Sequence, residues 1–149
     1  MEFRERAPEI EGEHIQNWKL TADPADKNRI IEEILDHLGG RVTLSASTLF
    51  RSRLCLDEAL TNAITHGSDE DGLPIEVDFY WATHSWAVRV LDQGPGFDPA
   101  DVQDPDEPGS EFLESGRGIL ILERYCERVV YSRGGREVTL VMKLEEVTA

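Results

Sequence analysis

Residues 56–67 read Leu-Asp-Glu-Ala-Leu-Thr-Asn-Ala-Ile-Thr-His-Gly, and their spacing predicts a helix that carries both core and chemistry. Glu58, Asn62 and His66 recur at every fourth position, so a helix with 3.6 residues per turn places them on one connected face. The apolar residues follow the complementary spacing on another face: Leu56, Ala59, Leu60, Ala63 and Ile64. A carboxylate can accept a proton and an amide oxygen can ligate Mg²⁺, so Glu58 and Asn62 are candidate functional residues. We interpret His66 as a structural residue at the helix end.

Periodicity and turn residues place the other elements around this helix. Before it, the pattern predicts a flexible arm over residues 1–12, a strand over His14–Thr21, a helix from Asp23-Pro24 to Gly39-Gly40, and a short extended piece over Arg41–Leu44. After it, the pattern predicts a hairpin over residues 75–81 and 86–91, a helix from Gly118 to Cys126, a strand over Val129–Tyr131, a turn at Arg133–Gly135 and a last strand over Val138–Leu144.

This order of elements predicts the fold class. Antiparallel strand pairs with helices set between them favour an α/β (α+β) two-layer sandwich, in which about three helices cover one face of a mixed, mostly antiparallel sheet. A chain of 149 residues is long enough for one domain with a proper core and too short for two ordinary ones. We therefore expect a single domain over residues 1–149.

Composition and charge limit the partners. The formal net charge of −15 argues against direct binding to nucleic acid or to an anionic membrane. No apolar run of membrane-spanning length and no signal peptide is evident, so we expect a cytoplasmic protein. Both cysteines, Cys55 and Cys126, fall in apolar helical patterns and are expected to be buried, reduced thiols.

Two glycine-containing stretches follow the central helix. Asp92-Gln-Gly-Pro-Gly96 comes directly after a predicted strand, and Gly116-Arg-Gly118 comes directly before a predicted helix. Taken singly, each has a simpler explanation: the first could be a plain turn, and the second could be no more than a flexible start of a helix. From Asp92 to Glu114 the chain contains eight acidic residues and no basic one. A connection this long is often a functional lid, although a surface insertion is the alternative.

Order, spacing and placement together make these motifs resemble the GHKL (Bergerat-fold) ATP-binding domain. Within it, the chain looks like the small serine kinases that act as bacterial anti-sigma factors. The stretch from Glu58 to Gly67 resembles the N-box of that branch, Asp92–Gly96 its D-x-G-x-G box, and Ser115–Ile121 its second glycine box. The resemblance also implies that residues 97–115 are the ATP lid.

The resemblance implies a cofactor, ATP with Mg²⁺, and a role for each site residue. Glu58 would be the catalytic base that orients a serine hydroxyl or a water, and Asn62 the Mg²⁺ ligand. The implied nucleotide-binding residues are Asp92 on the adenine amino group, Gly94 and Gly96 against the base, and Gly116, Arg117 and Gly118 at the phosphates. For Arg117, a solvent-facing role is equally compatible with the sequence.

The implied function is phosphorylation of a serine on a STAS-domain antagonist, alternating with sequestration of a sigma factor. A homodimer through the first strand and helix is also implied. Two alternatives use the same residues. One is a regulatory module that binds nucleotide without catalysis, favoured by the acidic lid, and the other is an ATP-hydrolysing switch with water as the nucleophile.

Overall fold

The computed structural model describes residues 1–66, 74–96 and 120–144. The elements in chain order are β1 (Glu2–Phe3), β2 (Glu13–Leu20), α1 (Pro24–Gly39), α2 (Ala46–His66), β3 (Ile75–Trp81), β4 (Ser85–Leu91), α3 (described over residues 120–125), β5 (Arg128–Ser132), a short 3₁₀ turn (Arg133–Gly135) and β6 (Glu137–Lys143).

In this described part of the chain, six strands form one sheet in the order β1-β5-β6-β4-β3-β2. The β1–β5 pair is parallel, and every other neighbouring pair is antiparallel. The predicted hairpin is confirmed, with Val77 opposite Val90 and Phe79 opposite Val88. Three helices pack with this mixed, mostly antiparallel sheet, so the predicted α+β sandwich is confirmed.

Helix α1 begins and ends where its sequence predicts. The Asp23 carboxylate accepts a hydrogen bond from the Ala25 amide at 2.9 Å, which satisfies one of the amide groups left without a partner at the helix start. Pro24 occupies the first turn, where its missing N–H costs nothing. At the other end, the Gly40 amide donates to the Asp36 carbonyl at 3.0 Å.

The core lies between the helices and one face of the sheet. Alternating residues of β3 and β4, such as Phe79 and Val88, are fully buried against apolar residues of all three helices. Trp18 and Trp86 belong to this core, as their positions in strand patterns predict. Cys55 and Cys126 are buried and free, which confirms their predicted burial, and their reduced state stays a prediction.

The structure differs from the sequence-based expectations at two places. The segment predicted as a flexible arm contains β1, whose residues Glu2 and Phe3 pair with Val130 and Tyr131. The expectation of an unstructured arm is therefore wrong for these two residues, because a partner strand far along the chain orders them. Arg41–Leu44 is a loop between α1 and α2 and not an extended strand.

A helix that crosses a bilayer needs about 20 consecutive apolar residues. Among the residues that the structure describes, no helix is both long and apolar enough to cross a membrane.

Candidate functional site

Helix α2 carries the first half of the candidate site. The hydroxyl of Ser45 accepts a hydrogen bond from the Thr48 amide at 3.1 Å and so caps the start of the helix. Apolar residues of α2 face the core, from Cys55 and Leu56 to Ala63. Glu58 and Asn62 are half-buried and lie one turn apart at the margin of this face. Their predicted proximity on the helix is confirmed.

The two flanks of α2 face different neighbours. On one flank, Asp57 and Thr61 contact the Lys27 ammonium of α1, at 2.9 and 3.3 Å. On the other flank, the thiol of Cys55 lies beside that of Cys126, which directly follows α3.

The helical rotation shows where Glu58 and Asn62 lie relative to these two flanks. Cys55, Glu58 and Asn62 fall within an arc of about 60° around α2, since each residue advances the helix by about 100°. Asn62 therefore lies on the flank that borders the α3 side of the sandwich, and Glu58 lies between this flank and the one that faces Lys27.

The environment of Glu58 makes its carboxylate more basic. Partial burial raises the pKa of Glu58, and the negative charge of Asp57 raises it further. The ammonium of Lys27 acts in the opposite direction and is the weakest of the three influences. A carboxylate with a raised pKa accepts a proton more readily, which is the property that a general base needs.

The second half of the candidate site is the glycine box, residues 92–96, directly after β4. Asp92 Oδ1 accepts a hydrogen bond from the Gly94 amide at 2.9 Å, a local turn that aspartate favours. The Asp92 amide donates to the Arg136 carbonyl at 2.8 Å. Gly94 is buried, and Gly96 has φ of +71°.

Gly96 is a position that only glycine fits. A Cβ built there would stand 2.1 Å from the carbonyl oxygen of Gly134. The positive φ independently disfavours any residue with a side chain. The backbone of the box is therefore held against the turn that connects β5 and β6.

The structure brings together some of the predicted site residues. Glu58 and Asn62 lie one turn apart on α2, and Asp92, Gly94 and Gly96 share one turn. Helix α2 packs on β4, the strand that leads into this turn. Their joint contact with one ligand stays a prediction. Gly116, Arg117, Gly118 and the predicted lid over 97–115 lie outside the described residues.

Two open grooves on the described surface lie elsewhere. One, of about 490 Å³, runs between α1 and α2 and is lined by residues including Ile31, Phe50 and Asp57. The other, of about 420 Å³, lies beside Met1 and Cys126. Neither is lined by Glu58, Asn62 or Asp92, so neither corresponds to the predicted site.

Sequence reasoning missed the supporting turn behind the glycine box. Arg133–Gly135 was predicted as a turn, but its contact with Gly96 was not anticipated. The contact follows from the antiparallel pairing of β4 with β6, in which Leu91 lies opposite Glu137. That register places the residues after Leu91 beside the residues before Glu137, but it is visible only once the two strands are known to be neighbours.

Comparison with known proteins defines the class of the chain. A family model described as a histidine kinase-like ATPase domain matches residues 20–143. The match covers most of the chain and includes α2 and the glycine box. The chain belongs to this family, and its membership implies that it binds ATP.

Three relatives show which kinds of protein within the family this chain is similar to. The anti-sigma F factor of Clostridium acetobutylicum is 27% identical over 94 residues, covering 61% of this chain and 66% of that protein. The serine/threonine-protein kinase BtrW of Bordetella bronchiseptica is 27% identical over 112 residues, covering 71% and 78%. The serine-protein kinase RsbW of Oceanobacillus iheyensis is 24% identical over 102 residues, covering 64% and 65%. The chain thus spans just under two thirds of the first and third relatives.

Proposed function

We propose that the chain is a cytoplasmic protein serine kinase that uses ATP and Mg²⁺ and acts as an anti-sigma factor. In this proposal it phosphorylates a serine on a STAS-domain antagonist and otherwise sequesters a sigma factor. The observation that carries the proposal is the pairing on α2 of a half-buried carboxylate of raised pKa, Glu58, with the carboxamide of Asn62 one turn away. Two relatives named as kinases and one named as an anti-sigma factor support it.

The residues present fit an adenine nucleotide with its metal ion. Asn62 offers an amide oxygen, a ligand type that Mg²⁺ accepts when phosphates and water supply the rest of its shell. The Asp92 carboxylate is placed in a turn where it can accept a hydrogen bond from the adenine amino group. Gly94 and Gly96 are the proposed backbone contacts of the base. At Gly96 the position of a Cβ is filled by the Gly134 carbonyl, so glycine there keeps the box packed on the turn. Gly116, Arg117 and Gly118 complete the proposed nucleotide-binding set.

Glu58 would act on the nucleophile and not on the nucleotide. Its carboxylate accepts a hydrogen bond from the attacking serine hydroxyl and holds it in line with the terminal phosphate. Positioning and charge neutralisation provide most of the catalysis in phosphoryl transfer, and general-base assistance adds ~10²–10⁴-fold. Mg²⁺, when bound, neutralises the phosphate charge in a protein whose own net charge is −15.

A homodimer is part of the proposal. Strand β2 is at an edge of the sheet, where it pairs with β3 alone among the described strands. Helix α1 follows it directly. A free strand edge can pair with another chain, and this supports the expectation that two copies meet through the first long strand and helix.

The proposal is tested by transfer of labelled phosphate from ATP to a STAS-domain antagonist. Wild-type protein should phosphorylate a serine, and Glu58→Gln should reduce the rate by ~10²–10⁴-fold while ATP binding persists. Glu32→Gln is the matched control, because Glu32 is an exposed helical carboxylate paired with Arg53. The proposal fails if no serine is labelled or if both variants transfer phosphate equally well.

Product analysis separates the alternatives. Release of inorganic phosphate without a labelled protein would indicate an ATP-hydrolysing switch. Bound ATP that stays intact while affinity for the partner changes would indicate a regulatory binding module.

A further inference from the structure

The segment that we call the N-terminal strap, residues 4–12, joins opposite edges of the sheet. Strand β1 pairs with β5 at one edge, and β2 pairs with β3 at the other. Neighbouring strands are about 4.8 Å apart, so the crossing covers about 24 Å. An extended segment of this length can span that distance. The strap must therefore cross one face of the sheet.

The strap crosses the face opposite the helices. Arg89 of β4 alternates with the buried core residues Val88 and Val90, so its side chain points to the outer face. Its guanidinium donates a hydrogen bond to the Pro8 carbonyl of the strap. It also donates to the Thr139 hydroxyl of β6 at 3.1 Å. Arg89 thus fastens the strap near the middle of the sheet.

Burial of the outer face agrees with this path. Antiparallel sheets that pack helices on one side usually leave the other side open to water. Here several outer-face residues of β4, β5 and β6 are almost inaccessible: Ala87 at 2%, Val130 at 0%, Ser132 at 1%, Glu137 at 3% and Thr139 at 0% exposed. Pro8 is itself buried. The strap is part of the packed structure.

The strap also contacts the turn that supports the glycine box. The Arg133 amide donates a hydrogen bond to the Glu5 carbonyl at 3.2 Å. Arg133 has φ of +53°, a left-handed conformation that is unfavourable for a residue with a side chain. Gly134 and Gly135 continue the turn with φ of +69° and +88°. Because the conformation of Arg133 is intrinsically unfavourable, outside contacts such as the one with Glu5 help to hold it.

Both ends of the glycine box rest on the same turn. The Asp92 amide donates to the Arg136 carbonyl at 2.8 Å, and Gly96 abuts the Gly134 carbonyl. Contacts therefore run without a gap from the strap, through residues 133–136, to the segment proposed to hold the adenine.

We propose that the N-terminal strap is a positioning element for the nucleotide site. By holding Arg133, it fixes the Gly134 carbonyl against which Gly96 packs, and so sets the backbone of the glycine box before ATP arrives. The part of the proposal that concerns ATP rests on the proposed function of that box. Coupling of this kind is reciprocal, so bound ATP must in turn tighten the contact between strap and turn.

The test uses Arg89→Met, which keeps a long side chain but removes the donors to Pro8 and Thr139. Lys19→Met is the matched control, because Lys19 is an exposed cation of β2 whose ammonium pairs with Glu76 of β3. Phe3→Ala is a second variant, since it removes the ring stacked on Tyr131 at 5.6 Å and leaves Arg89 intact. The readouts are KM for ATP, kcat, and amide hydrogen exchange of residues 92–96 and 133–136.

Arg89→Met and Phe3→Ala should raise KM for ATP roughly tenfold, the effect of about one hydrogen bond. The kcat at saturating ATP should stay unchanged, because Glu58 and Asn62 are on a different element. Exchange at residues 92–96 and 133–136 should accelerate in both variants and not in Lys19→Met. A fall in kcat with unchanged KM, or exchange equal to the control, would overturn the proposal.

The exchange readout keeps this proposal distinguishable from the proposed function. If wild-type protein binds no ATP, the proposed function fails, while accelerated exchange at the turn and glycine box would still support the strap as a positioning element. If wild-type protein binds and transfers phosphate but the strap variants match Lys19→Met, the strap proposal fails and the kinase proposal stands.

Discussion

Gly96 and Gly134 are in backbone contact, with no room between them for a side-chain carbon. A Cβ on Gly96 would stand 2.1 Å from the Gly134 carbonyl oxygen, and the φ of Gly96 is +71°. This contact joins the end of the glycine box to the β5–β6 turn. It ties a segment proposed to hold a nucleotide to the turn that links two neighbouring strands of the sheet.

Replacement of Gly96 by alanine should destabilise the fold. The clash is with backbone and cannot be relieved by a side-chain rotation, and the positive φ adds strain of about 1–3 kcal/mol. We expect the free energy of unfolding, measured in urea, to fall by at least that amount and ATP affinity to fall with it.

Gly39→Ala is the control for the Gly96 substitution. Gly39 is in the last turn of α1, and a Cβ there would meet nothing within 4 Å. Alanine should leave stability unchanged or raise it by up to ~1 kcal/mol. Equal effects of the two substitutions would show that the contact with Gly134 has no energetic consequence.

Glu58→Gln should raise the stability of the fold at neutral pH although it slows phosphate transfer. Burial raises the pKa of Glu58, so the folded state holds this proton more tightly than the unfolded chain does. Protonation of Glu58 therefore stabilises the folded state. This contribution to the free energy of unfolding is fully present below the ordinary carboxyl pKa of about 4.3, and it is lost as pH rises through the higher pKa of the folded state. Glutamine mimics the protonated form. The variant should therefore match wild type in acid and be more stable at neutral pH, as urea titrations between pH 4 and pH 8 would show.

Glu32→Gln should have the opposite pH dependence. A hydrogen bond from Arg53 lowers the pKa of Glu32, so its ionised form favours the folded state. That contribution is present above the ordinary carboxyl pKa and is lost as pH falls through the lowered one. The variant should be slightly less stable than wild type at neutral pH, and the difference should vanish in acid. If Glu58→Gln and Glu32→Gln show the same sign at neutral pH, the environment assigned to Glu58 is wrong.

Features of the fold that depend on residues close together in the chain could be predicted from the sequence. Alternation of apolar residues around Phe79 and Val88 was enough to predict the β3–β4 hairpin, because one face of each strand is buried. The Asp23-Pro24 start of α1 was predictable because a cap acts on amides two or three residues away. On α2, the separation of four residues was enough to predict that Glu58 and Asn62 lie one turn apart.

Contacts between distant segments were not predictable in the same way. Strand β1 has only two residues and no periodicity, and its order comes from pairing with β5 far along the chain. The contact of Gly96 with Gly134 depends on β4 and β6 being neighbours, which no local pattern shows. The same holds for Arg89 and Pro8, whose bond reveals the strap.

Asp92→Asn should weaken ATP binding whether or not Mg²⁺ is present. Asparagine can still accept the hydrogen bond from the Gly94 amide through its oxygen, but it presents an N–H₂ donor where the adenine amino group requires an acceptor.

Asn62→Ala should weaken ATP binding only when Mg²⁺ is present, because the lost group is a proposed metal ligand. Each loss should be roughly 10–100-fold, the scale of a hydrogen bond to a charged group.

Calorimetric titration of ATP into wild type and these two variants, with and without Mg²⁺, tests most directly whether α2 and the glycine box share one nucleotide. We predict tight binding by wild type, loss in both conditions for Asp92→Asn, and loss only with Mg²⁺ for Asn62→Ala. Absence of ATP binding by wild type, or wild-type affinity in both variants, would contradict the account.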